Sequence, residues 1–104
     1  MLRESSRGAL TVAISIVLPR ALYQYSRGSN TVVLDEPCAT VAEALDALAE
    51  RLPAVTDRVL TEQGELRPHV NVFVGEESVR FLDGLETSLA DGATITIVPA
   101  VSGG

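Results

Sequence analysis

The 104-residue sequence predicts a single α+β domain, with one main helix packed on one face of a mixed sheet of four to five strands. Three observations carry this expectation. Several short segments have the two-residue apolar period of half-buried strands, and one longer segment has apolar residues at helical spacing with a capping pattern at its start. The order is hairpin, helix, hairpin-like pair, final strand. Apolar residues make up 46% of the chain and aromatics only 4%, so the core is aliphatic and disorder is excluded as the general state. A chain of this size builds one core.

The polar stretch at residues 1–8 (MLRESSRG) has no apolar period and reads as a flexible extension; the domain spans 9–99 and a flexible tail 100–104. In the first strand Leu10, Val12, Ile14, Ile16 and Leu18 alternate with Thr11, Ala13, Ser15 and Val17, and Pro19 ends the run. Arg27-Gly28-Ser29-Asn30 supplies turn residues, after which Thr31-Val32-Val33-Leu34 has the β-branched content of a second strand. Asp35-Glu36-Pro37 breaks that strand. Thr40 with Glu43 three positions on forms a capping box, and Val41, Ala44, Leu45, Leu48 and Leu52 then share one helical face until Pro53 stops the helix. Val55, Val59 and Leu60 indicate a weaker helical turn, and Gln63-Gly64-Glu65 with Pro68 marks a surface loop. Val70, Val72 and Val74 alternate with Asn71 and Phe73 in a third strand, and Gly75-Glu76-Glu77 turns it into a short fourth around Val79 and Phe81. Leu82 to Leu89 is irregular. Asp91-Gly92 is a turn pair, and Thr94 to Val98 forms the last strand before Pro99.

Acids outnumber bases 14 to 8, for a net charge of −6, which excludes nucleic acid as a partner and favours a basic protein surface. All the bases are arginine; lysine is absent. Cys38 is the single cysteine, so no internal disulfide or thiolate-rich metal site forms, and a reducing, cytoplasmic setting is expected. Arg3 and Arg7 before the apolar run Leu10 to Leu18 imitate a secretory signal, but Thr11 and Ser15 interrupt the run and no A-x-A pattern follows. The run is too short to span a membrane. No charged cluster near Cys38 lowers its pKa, His69 has no partner ligands nearby, and Asp35-Glu36 and Glu76-Glu77 read as solvated turns. No catalytic group, metal or bound cofactor is therefore expected.

The informative end is the carboxyl terminus, Ala100-Val101-Ser102-Gly103-Gly104, which directly follows the last strand. Two glycines without Cβ let a backbone thread a narrow channel and leave the terminal carbonyl open to attack. On the dipeptide alone a frayed terminus is the commoner explanation. The surrounding residues reverse that balance. Val79-Arg80-Phe81, Gly84-Leu85, Leu89-Ala90-Asp91-Gly92 and Thr96 through Gly104, together with Val70-Asn71-Val72-Phe73-Val74, resemble the ThiS/MoaD family of ubiquitin-like sulfur carriers, closest to its CysO-type, cysteine-synthesis branch. The resemblance covers most of the chain from about Leu10 and is most specific in the last third.

This resemblance implies a β-grasp (ubiquitin-like) fold and a protein co-substrate rather than an enzyme. It implies that the Gly104 carboxylate is adenylated by an ATP-using, E1-like adenylyltransferase/sulfurtransferase and becomes a thiocarboxylate, with Gly103, Ser102 and Val101 inside the partner's channel. The sulfur then passes to an accepting enzyme, such as a cysteine synthase or another sulfur-inserting synthase, with a metal-dependent peptidase as a further partner. Molybdopterin-synthase small subunits usually carry an aromatic and paired prolines before the terminal glycines; Ile97-Val98-Pro99-Ala100 stands there instead, and Ala93 replaces the family's frequent acid after Asp-Gly. Both departures favour the cysteine branch over the molybdopterin subunit. A thiosugar-type specialised metabolite is another acceptor, and a ubiquitin-like protein modifier ranks last. Strand alternation places Val17, Phe73 and Val98 on the sheet face away from the helix, as a partner-contact patch; the alternative for Phe73 is cover by the Leu82 to Leu89 loop and a role in the fold alone.

Overall fold

The computed structural model describes residues 13–99. The expected extension at 1–8, the first residues of the first strand (Leu10 and Val12 among them) and the tail 100–104 lie outside the described residues. Five strands, β1 (Ile14–Val17), β2 (Thr31–Leu34), β3 (Val70–Val74), β4 (Glu77–Ser78) and β5 (Thr94–Pro99), form one sheet in the order β2-β1-β5-β3-β4. β1 pairs antiparallel with β2 and parallel with β5, and β3 pairs antiparallel with both β5 and β4. Helices α1 (Val41–Arg51) and α2 (Pro53–Val59) complete the layer above the sheet.

The strands alternate as their sequences require. Ile14, Ile16, Val32, Leu34, Val70, Val72, Ile95 and Ile97 are buried under the helices, where they meet Val41, Ala44, Leu45 and Leu48 of α1 and Val55 and Val59 of α2. Each fully buried Leu, Ile or Val contributes about 1.5–3 kcal/mol of transfer free energy. Val74, expected under the helix, is half-buried and packs against this core from its rim.

The capping box at the start of α1 is present with a displaced partner. Thr40 Oγ1 accepts from the Glu43 amide at 3.2 Å, while Glu43 Oε1 accepts from the Ala39 amide at 2.7 Å, one residue before the cap. The same turn is tied to the segment before β5, because the Val41 amide donates to the Thr87 carbonyl and the Leu89 amide to the Ala39 carbonyl. Pro53 stands at the first position of α2, where its missing N–H costs nothing.

Two expectations are corrected. The fourth strand is only Glu77–Ser78; Val79 to Phe81 form a 3₁₀ turn instead, whose start is capped by Ser78 Oγ accepting from the Arg80 amide at 3.1 Å. In a strand Val79 and Phe81 would share a face, but in a 3₁₀ turn of three residues they diverge. Val79 is fully buried and Phe81 is 86% exposed. The last strand also runs through Pro99, which pairs with Val70; its missing N–H is tolerated at a strand end.

Candidate functional site

β5 lies inside the sheet, between β1 and β3, so its last residue, Pro99, which directly precedes residues 100–104 in the sequence, sits within the sheet rather than on an edge strand. β1 pairs with β5 only as far as Thr96, whereas β3 follows it to Pro99. Beyond Thr96 the β1-side flank of β5 is therefore open. A cleft of about 260 Å³ fills that flank, lined by Pro19, Leu22, Tyr25, His69, Ile97 and Pro99. The Arg58 guanidinium stacks over the Tyr25 ring at 4.5 Å and closes one side.

On the other flank Arg80 fixes the β3 partner of Pro99. Its Nη2 donates to the Val70 carbonyl at 2.6 Å and to the Arg67 carbonyl at 3.0 Å. A short chain of hydrogen bonds holds the same corner: Ser78 Oγ donates to Asn71 Oδ1 at 2.8 Å and accepts from the Arg80 amide. Asn71 pairs across the sheet with Val98.

Val17, Phe73 and Val98 share the sheet face away from the helices. The pairings Thr31–Val17, Val17–Thr96, Thr96–Phe73 and Phe73–Ser78 set Val17 and Phe73 in one row, on either side of Thr96, with Val98 two residues farther along β5. Val17 and Phe73 are half-buried, and Val98 and Val33 are exposed. No described helix lies over this face. Gly104, Gly103, Ser102 and Val101 lie outside the described residues, so among the expected site residues the structure brings together Val17, Phe73 and Val98.

Cys38 and His69 lie away from that face. Burial pushes the Cys38 thiol above its ordinary value of 9.0, and the nearby carboxylates of Glu36 and Glu43 push it further, so the reactive thiolate is disfavoured. Among the described residues no group of His, Cys, Asp or Glu has the arrangement to hold a metal ion, and His69 stands alone in the cleft wall. No helix there is long and apolar enough to cross a membrane. Sequence reasoning missed the bracing role of Arg80, the Tyr25–Arg58 pair and the exposure of Phe81. Only the last had a local signal: Ser78, a good cap, stands directly before Val79-Arg80-Phe81.

A five-stranded mixed sheet wrapped on one main helix, with its last strand inside and a tail following it, defines a ubiquitin-like β-grasp protein. The chain belongs to the ThiS family, whose model matches residues 16–104. The sulfur carrier protein CysO of Mycobacterium tuberculosis is 31% identical over 93 residues, covering 88% of this chain and 98% of that protein. Small archaeal modifier protein 1 of Haloferax volcanii is 41% identical over 78 residues, covering 74% and 85%. A chain in the crystal structure of the Amycolatopsis orientalis BexX/CysO complex superposes with a TM-score of 0.77 at 36% identity, over 88% of this chain and 99% of its own length. The protein is thus a member of a family of small sulfur carriers and ubiquitin-like modifiers, a co-substrate of other enzymes rather than a catalyst.

Proposed function

We propose that the Gly104 carboxylate is the reacting group and that the protein carries sulfur for cysteine biosynthesis. The carboxylate first attacks ATP on an E1-like enzyme, giving an acyl adenylate and releasing pyrophosphate. Sulfide then attacks the acyl carbon. The C–O bond to AMP breaks, and a terminal thiocarboxylate remains. The thiocarboxylate sulfur then attacks the β-carbon of an activated serine held by an accepting synthase and displaces its activating group; hydrolysis of the resulting acyl–cysteine link frees cysteine and regenerates the Gly104 carboxylate. The carrier supplies recognition and positioning; the partners supply ATP and the chemistry. The single observation that carries this reading is the family match through the final Gly103-Gly104, joined to likeness to proteins named as CysO sulfur carriers.

The interior placement of β5, whose end at Pro99 is held on the β3 side through Val70 and Arg80, supports it, because it gives a partner enzyme a fixed frame directly before the reacting terminus in the sequence. Val17, Phe73 and Val98 form the adjoining contact face, and Val101, Ser102 and Gly103 occupy the channel. Intact-mass analysis after incubation with the activating enzyme, ATP and sulfide should show one oxygen replaced by sulfur. Removal of Gly104 should abolish the gain; a truncated chain that still gains it would place the chemistry elsewhere. The modifier relative supports a second reading, attachment of Gly104 to lysines of other proteins. A mass increase on a target lysine that ends in Gly103-Gly104 distinguishes it.

A further inference from the structure

Phe81 is the most exposed large apolar side chain among the described residues, at 86%, and Leu82 beside it is 41% exposed. Neither belongs to the core. The neighbours in the same turn already serve the fold: Val79 is fully buried, and the Arg80 guanidinium is engaged with two carbonyls. Phe81 therefore protrudes from a segment that is otherwise held tightly. Glu76, Glu77, Asp83 and Glu86 are exposed on either side of it along the chain, against the single base Arg80. Beside the turn lies a shallow recess of about 420 Å³, lined by Leu66, Val79, Arg80 and Leu85 among others. An apolar knob next to a part-apolar recess, rimmed by acids, has the layout of a docking site for a basic protein surface.

We infer that Phe81 and Leu82 form a second docking point for the ATP-dependent activating enzyme, inserting into an apolar socket rimmed by Arg or Lys. The inference rests on the carrier reading above and adds a contact separate from the Val17, Phe73 and Val98 face. Charge selects this occupant. An enzyme that gathers a triphosphate and an incoming carboxylate at one site lines it with positive groups, and their field reaches the surface around its mouth. Position agrees. Arg80 ties the knob to Val70, the residue paired with Pro99, so the knob stands at a fixed distance from the root of the tail. A second copy of this chain is disfavoured as occupant, because each copy carries a net charge of −6.

The test compares wild type, Phe81→Ala and Phe73→Ala as full-length substrates of the purified activating enzyme, following pyrophosphate release and thiocarboxylate mass. Phe81→Ala should raise the half-saturating carrier concentration on the order of tenfold or more, as for a central anchor, with unchanged maximal rate and unchanged melting temperature. A Glu76→Gln, Glu77→Gln, Asp83→Asn, Glu86→Gln variant should raise it as well and flatten its dependence on salt. Half-saturation of Phe81→Ala equal to wild type overturns the inference, as does an effect confined to the sulfur-accepting enzyme. Failure of wild type itself to release pyrophosphate overturns the carrier reading instead, so the two failures are distinct.

Discussion

Arg80 is the residue whose replacement tests most directly how the end of β5 is held. Arg80→Met keeps the apolar stem and removes both hydrogen bonds of Nη2, at 2.6 Å to Val70 and 3.0 Å to Arg67. A hydrogen bond to a charged group contributes about 1.5–3 kcal/mol when the partner is left dry by its loss. The Arg67 bond is exposed, so water replaces it at little cost; the Val70 bond is partly buried and carries the effect. The net loss should be about 1–2 kcal/mol, which for a domain near this size lowers the melting temperature by about 5–10 °C. Urea melts measure it, with Arg80→Lys as a second variant that retains the charge but lacks the planar fork. Arg80→Lys should recover less than half of the loss. A midpoint for Arg80→Met equal to wild type would show that the two bonds contribute nothing and that the Val70–Pro99 corner is held by the strand ladder alone.

Thr40→Ala should cost about 1 kcal/mol by removing the acceptor of the Glu43 amide, while leaving thiocarboxylate formation unchanged; urea midpoints and intact mass check both halves. Phe73→Ala should keep the circular dichroism spectrum and need a higher carrier concentration for activation. Loss of stability with normal kinetics in the folded fraction would make Phe73 a support of the sheet instead. Cys38 should react with iodoacetamide far more slowly than a free thiol at pH 8 and at a normal rate in urea. Because folding raises its pKa, the stability conferred by the neutral thiol is present below the ordinary value of 9.0 and is lost as pH rises through the raised one. Alkaline urea melts of wild type and Cys38→Ala should therefore converge as pH increases.

The sequence alone determined the elements whose signals are local. The two-residue period of Ile14 and Ile16, of Val70, Val72 and Val74, and of Ile95 and Ile97 comes from pleat geometry, and it named the buried face. The Thr40–Glu43 pair and Pro53 fixed the ends of α1 because capping groups and proline act on their own turn. The last third of the chain also carried the resemblance to the family whose model matches residues 16–104. The tertiary structure decided what depends on distant partners. The pairing of β1 with β5 places the tail's root inside the sheet, a contact across most of the chain that no local pattern encodes. The reach of Arg80 to Val70 fixes one flank of that root, and the other opens onto a cleft that the stacked Arg58 and Tyr25 wall on one side. The turn at Val79 to Phe81 shows the limit most sharply: β-branched and aromatic residues there read as strand, but only one of them found a place in the core. Burial of Val79 in the core, with Ser78 capping the turn, outweighed strand propensity and left Phe81 in solvent.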